Sequence, residues 1–163
     1  MDAKTKQDFA NKIKNATPLQ LTVINYELLL YFMDEASAAL IGSPECTAAL
    51  ENARAALEEL HGSLDMDIEF SKDLGNLYIF VNKCLIHAGM KRAGCDEEKN
   101  NLLAEARGIV AELLDAWQTL DADENLYEKL LGSSQKIFAG LTYGRDGKLE
   151  EYQDFDPDRG YKA

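Results

Sequence analysis

The sequence predicts an all-α fold, an antiparallel four-helix bundle with a short N-terminal arm and a C-terminal extension. Three observations carry this. Apolar residues recur at three- and four-residue spacing through four segments of roughly 20 to 25 residues each, joined by short connections. The segments are punctuated by helix starts and stops: Thr17-Pro18 and Ser43-Pro44 open two of them, and Gly42 and Gly94 close two. Hydrophobic content is 46% with only three prolines and eleven glycines in 163 residues, a composition for folded helices and against extended disorder.

Residues 1–15 alternate Lys, Asp, Asn and Gln, with Phe9 and Ile13 as apolar anchors. Two anchors are too few to fix a helix on a core, so this stretch is expected to be a loosely held, flexible arm. Helix one is expected from 18 to 41, capped by Thr17. It contains Leu28, Leu29, Leu30, Tyr31, Phe32 and Met33 in a row, and six residues cover about one and two-thirds turns, so every side of this segment is apolar. Leaving three or four such side chains in water forfeits roughly 1.5 to 3 kcal/mol each. An arm, a tail or a partner is therefore expected to lie on helix one.

Helix two starts at Pro44, with Cys46, Ala49, Leu50, Ala53, Leu57, Leu60 and Leu64 on its apolar face. The register shifts around Leu64-Asp65-Met66, and Phe70, Leu74, Leu77, Tyr78, Val81, Leu85 and Ala88 define helix three to about Arg92. Asp96 is expected to cap helix four, whose stripe runs through Leu103, Ile109, Val110, Leu113 and Trp117 to about Asp121. The bundle thus occupies 16–122. In the extension, 123–163, a weaker fifth helix is expected over Leu126 to Leu141, followed by an acidic, aromatic, mostly irregular tail in which Asp146-Gly147 is a candidate turn.

A formal charge of −12, from 29 acidic and 17 basic residues, repels phosphate backbones and argues against a nucleic-acid partner. No apolar run reaches the roughly 20 residues that span a bilayer, and the N-terminus lacks the apolar core of a signal peptide, so no membrane insertion and a cytoplasmic location are expected. Cys46, Cys84 and Cys95 show no C-x-x-C spacing, which suggests neither a disulfide framework nor a zinc site. Glu58 and His61 have the Glu-x-x-His spacing of di-iron bundles, but the second such pair is missing, with Cys84 three residues before His87. No nucleophile motif or phosphate loop occurs. The expectation is a protein without catalytic residues, metal or cofactor, with Tyr26, Tyr78 and Trp117 as core aromatics.

Ala16-Thr17-Pro18, then Leu21 and Ile24, then Tyr26, Leu29 and Phe32 resemble the opening motif of the FliS-type flagellin export chaperones. Leu64-Asp65-Met66, the run Leu74, Leu77, Tyr78, Phe80 and Leu85, and Leu113-Leu114-Asp115-Ala116-Trp117 resemble later motifs of that family, in order, across residues 8–120. One departure is Leu28, which stands where the family has glycine. The resemblance implies a non-enzymatic cytosolic chaperone that holds the C-terminal segment of flagellin in an apolar groove until secretion, with the flagellar export apparatus as a further partner. On that reading the client contacts are expected at Leu21, Ile24, Leu28, Tyr31, Leu74, Tyr78 and Leu85, with Phe9 and Ile13 as a competing, autoinhibitory arm and plain core packing as the other reading of most of these residues. Both faces of helix one are apolar, so spacing leaves its contact face open. The alternatives are a bundle whose apolar helix pairs with a second copy, giving a homodimer, and a groove covered by Ile137, Phe138 and Tyr143 of the tail.

Overall fold

A computed structural model of the chain describes residues 1–123, 125, 126 and 129. The chain divides into two compact units, Met1–Asp121 and Ala122–Ala163. Among the described residues the structure is all-helical: α1 (Ala3–Lys14), α2 (Pro18–Ala38), α3 (Pro44–Gly62), α4 (Glu69–Gly89) and α5 (Asp96–Ala122). Helices one to four of the sequence reading are α2 to α5. The expected fifth helix, the candidate turn and the tail lie outside the described residues, apart from Leu126 and Lys129.

The starts of α2 and α3 follow from their punctuation. The Thr17 hydroxyl accepts the Gln20 amide at 3.2 Å while the Gln20 side chain accepts the Thr17 amide at 3.1 Å, a closed capping box. Ser43 Oγ accepts the Cys46 amide at 3.1 Å, and a proline opens both helices. Gly42 and Gly94 have φ of +85° and +92° in the connections between α2 and α3 and between α4 and α5. That backbone region disfavours a Cβ, so both positions need glycine although nothing crowds them.

Two expectations differ from the structure. Residues 3–14 form a helix, although two apolar anchors were expected to be too few to fix one. Asp2 caps it: one carboxylate oxygen accepts the Thr5 amide at 2.9 Å and the other accepts the Thr5 hydroxyl at 3.0 Å. These bonds hold the Asp2 carboxyl below its ordinary range. Asp96, expected as a cap, is instead the first residue of α5, and its carboxylate accepts the Ile41 amide from the connection beyond α2 at 2.9 Å.

The core is a contiguous cluster from four helices. Tyr26, Leu29 and Met33 of α2 meet Leu50, Leu57 and Leu60 of α3, Leu74, Val81 and Leu85 of α4, and Leu103 and Val110 of α5. Ala49, Ala53 and Ala56 line one face of α3, which lets α2 and α3 lie close together. Polar ties mark the helix flanks. Arg54 Nε of α3 donates to Asn82 Oδ1 of α4 at 3.1 Å. Arg107 of α5 grips Asp34 of α2 with two bonds of 2.6 and 2.9 Å, an ion pair that raises the arginine's affinity for its proton.

Candidate functional site

The outward side of α2 carries a line of residues at three- and four-residue spacing: Ile24, Glu27, Tyr31 and Glu35. Helix α1 lies along it. Lys12 Nζ meets Glu27 Oε2 at 2.8 Å. The Phe9 ring stands edge-on to Tyr31 with centroids 6.4 Å apart. The Met1 ammonium meets Glu35 Oε1 at 2.9 Å, and the Tyr31 hydroxyl donates to the same oxygen at 3.2 Å. Early residues of α1 thus pair with late residues of α2, and the two helices run antiparallel.

The quality of this contact is uneven. No residue of α1 is buried; Phe9 is half-buried and Ile13 is 45% exposed. Beneath it, Ile24 is only 4% exposed although it stands outside the main core cluster, and its place on the line of Glu27 and Tyr31 puts it on the face that α1 covers. A solvated helix held by exposed ion pairs gains at most about 1 kcal/mol from each. The cover is therefore weak, and what it covers is apolar.

The other expected contact residues fall into two groups. Leu21 is 40% exposed, and Leu28 and Tyr31 are half-buried. Leu74, Tyr78 and Leu85 are at most 4% exposed and fill the core on α4. The structure brings Leu21, Ile24, Leu28 and Tyr31 together on the outer sides of α2, with Phe9 and Ile13 on the helix laid over them. It places the three α4 residues on the inner side of the bundle.

Two buried polar clusters fix this arrangement. Tyr26 and Tyr78 are 0% and 2% exposed, and their hydroxyls are 2.5 Å apart. Trp117 Nε1–H donates to the Tyr26 hydroxyl at 3.1 Å, so α2, α4 and α5 meet at one point. Burial pushes both phenols above their ordinary range, Tyr78 far above it. The second cluster was not anticipated. Lys99 is fully buried, and its Nζ donates to the carbonyls of Ala36 at 2.8 Å, Ser37 at 3.4 Å and Ala39, with Asp96 Oδ1 at 3.4 Å. A cation from α5 thus satisfies the carbonyl end of α2, where the helix dipole is negative. The sequence signal was a lysine in phase with Leu103, Ala106 and Val110.

Among the described residues no group of three or more His, Cys, Asp or Glu is placed to hold a metal. Glu58 is exposed, and His61 packs edge-on to Tyr78 with centroids 6.0 Å apart. An open hollow of about 380 Å³ between α3 and α4 is lined by Leu50, Leu85 and Ile86 with Arg54 and Lys91, but Arg54 is engaged by Asn82 and Lys91 by Glu98 at 3.7 Å. No described helix is long and apolar enough to cross a membrane.

The family model described as flagellar protein FliS matches residues 1–124. The chain belongs to the FliS family. A FliS relative, the flagellar secretion chaperone FliS of Bacillus subtilis (strain 168), is 31% identical over 111 residues, covering 66% of this chain and 78% of its own. The FliS match ends two residues beyond α5 and takes in α1 with the bundle, so the helix over α2 belongs to the family portion of the chain.

Proposed function

We propose that this chain is a non-enzymatic flagellar secretion chaperone that works in the cytoplasm and holds the C-terminal segment of flagellin on the outer face of α2. The single observation behind this is the weak cover there: α1 lies on an apolar helix without burying any residue of its own, and Ile24, on the same side of α2, is buried. A helix that sits on an apolar face mainly through exposed ion pairs is one that a more apolar helix displaces.

The contact surface is Leu21, Leu28 and Tyr31, with Ile24 added when α1 leaves; Phe9 and Ile13 are the residues that compete with the client. Leu74, Tyr78 and Leu85 act indirectly by holding α2 and α4 in place. An unassembled flagellin end that polymerises through amphipathic helices is adhesive, and covering it keeps it monomeric and secretable. Ordering that end costs free energy, so the interface has to be extensive. Delivery to the export apparatus then requires that the grip be reversible, which the returning α1 supplies.

Co-purification with the C-terminal segment of a flagellin from the same cell tests this reading. Capture by the unaltered chain is expected, with at least about tenfold weaker affinity for Leu28→Asp or Leu21→Asp, roughly one buried leucine's worth of binding free energy. Circular dichroism of each variant separates lost binding from lost folding. Failure of the unaltered chain to retain the segment would refute it.

A further inference from the structure

A second apolar surface lies away from α1, and the polar ties between helices locate it. Asn82 of α4 takes Arg54 of α3, so that flank of α4 faces α3. Leu77 and Phe80 are on the opposite flank, which faces α5. Arg107 of α5 takes Asp34 of α2, so the flank of α5 bearing Ile109 and Leu113 faces α4. Leu77 and Phe80 are 37% and 38% exposed, Phe70 is 59% exposed, and Ile109, Leu113 and Leu120 are half-buried. Their helical positions put these residues side by side as an apolar strip, a shallow trough that from Phe70 to Phe80 is about 15 Å long at the helical rise, or nearly three turns.

The rim of the trough is predominantly acidic. Glu105 and Glu112, seven residues apart, share the outer edge of α5, and Asp73 stands on the edge of α4 between Phe70 and Leu77, with Lys83 the cation among them. Asp73, Glu105 and Glu112 are exposed, and among the described residues none of the three is in an ion pair. Three unneutralised carboxylates beside an apolar channel repel one another until a cation arrives.

We propose that the trough between α4 and α5 is a docking site for an amphipathic helix whose apolar face is bordered by lysine or arginine, separate from the α2 face that α1 covers. The apolar channel supplies affinity, and the acidic rim selects against helices with acidic borders. This site stands whether or not flagellin occupies α2.

The test uses the full chain and two synthetic helical peptides of about 15 residues, long enough to fill the trough. They share one leucine-rich face and differ in having lysine or glutamate along its borders. At low salt the lysine peptide is expected to bind at least about tenfold tighter, with the preference shrinking as salt screens the rim. Phe80→Glu and, as a milder variant, Leu77→Asn are expected to weaken it severalfold or more. The double change Glu105→Lys with Glu112→Lys touches only exposed positions and is expected to reverse the preference, while Phe9→Ala leaves it unchanged. Equal binding of the two peptides, binding by neither, or a preference that survives the double change would overturn the proposal. So would a response to Phe9→Ala, which would merge the two faces, or a concentration-dependent doubling of mass that Phe80→Glu abolishes, which would give the trough to a second copy.

Discussion

Lys99 caps the carbonyl end of α2. Its ammonium occupies the place where water would otherwise satisfy the last carbonyls of the helix, which stops at Ala38 although apolar residues continue to Ile41. Lys99→Met keeps the volume and removes the donor, leaving buried carbonyls without partners, so it is expected to cost about 3 kcal/mol of stability in urea unfolding. Hydropathy patterns count a lysine as surface, and only its phase with Leu103 and Val110 marked it otherwise; its carbonyl partners lie 60 to 63 residues away at the end of α2 and were not legible. The tyrosine pair gives a pH signature. Burial raises both phenol pKa values above the unfolded value near 10. Above that pH the unfolded chain releases protons that the folded chain retains. Stability is therefore fully present below pH of about 10 and falls above it, by up to about 1.4 kcal/mol per pH unit for each tyrosine. Denaturant midpoints between pH 9 and 11 would show the decline, and Tyr78→Phe is expected to flatten it. Their place in the core was legible from helical spacing, but the hydroxyl contact and the Trp117 bond were not, because spacing does not fix which stripes meet.

The helices themselves follow from local signals, and their ends agree with the sequence to within a few residues because caps, prolines and positive-φ glycines are encoded where they act. Helix α1 is the exception. Twelve residues with two apolar anchors form a marginal helix in water, and what holds it is the Asp2 cap together with Glu27, Tyr31 and Glu35 of another helix. Those tertiary partners were invisible from 1–15 alone, although the surplus of apolar surface on α2 called for a cover of this kind. Because the ties are exposed ion pairs and one aromatic edge, α1 is expected to open before the bundle does. In about 1 M salt, where charges are screened within about 3 Å, amides of 5–14 are expected to exchange freely while those of α3 stay protected. Phe9→Ala is expected to give the same pattern at low salt with the melting temperature of the bundle unchanged. Protection of α1 equal to that of α3 would show that the cover is not weak.

At the scale of the whole molecule, one bundle presents two apolar faces with different protection. The α2 face is covered by a helix of its own chain, and the trough between α4 and α5 is bordered by carboxylates. The all-α class and the family could be read from spacing and motifs. The division of apolar residues between interior and surface could not, because Tyr78 and Leu77 adjoin in the sequence and take opposite fates, one 2% and the other 37% exposed. Both expected functions of the α2 face, taking a client and hiding when empty, require that α1 and the client exclude each other. Hydrogen exchange of the full chain, with and without a saturating C-terminal flagellin segment, measures this directly. Binding is expected to strip protection from amides 5–14 while adding it across α2 and raising the total helicity. Saturable binding that leaves α1 as protected as before would contradict the account.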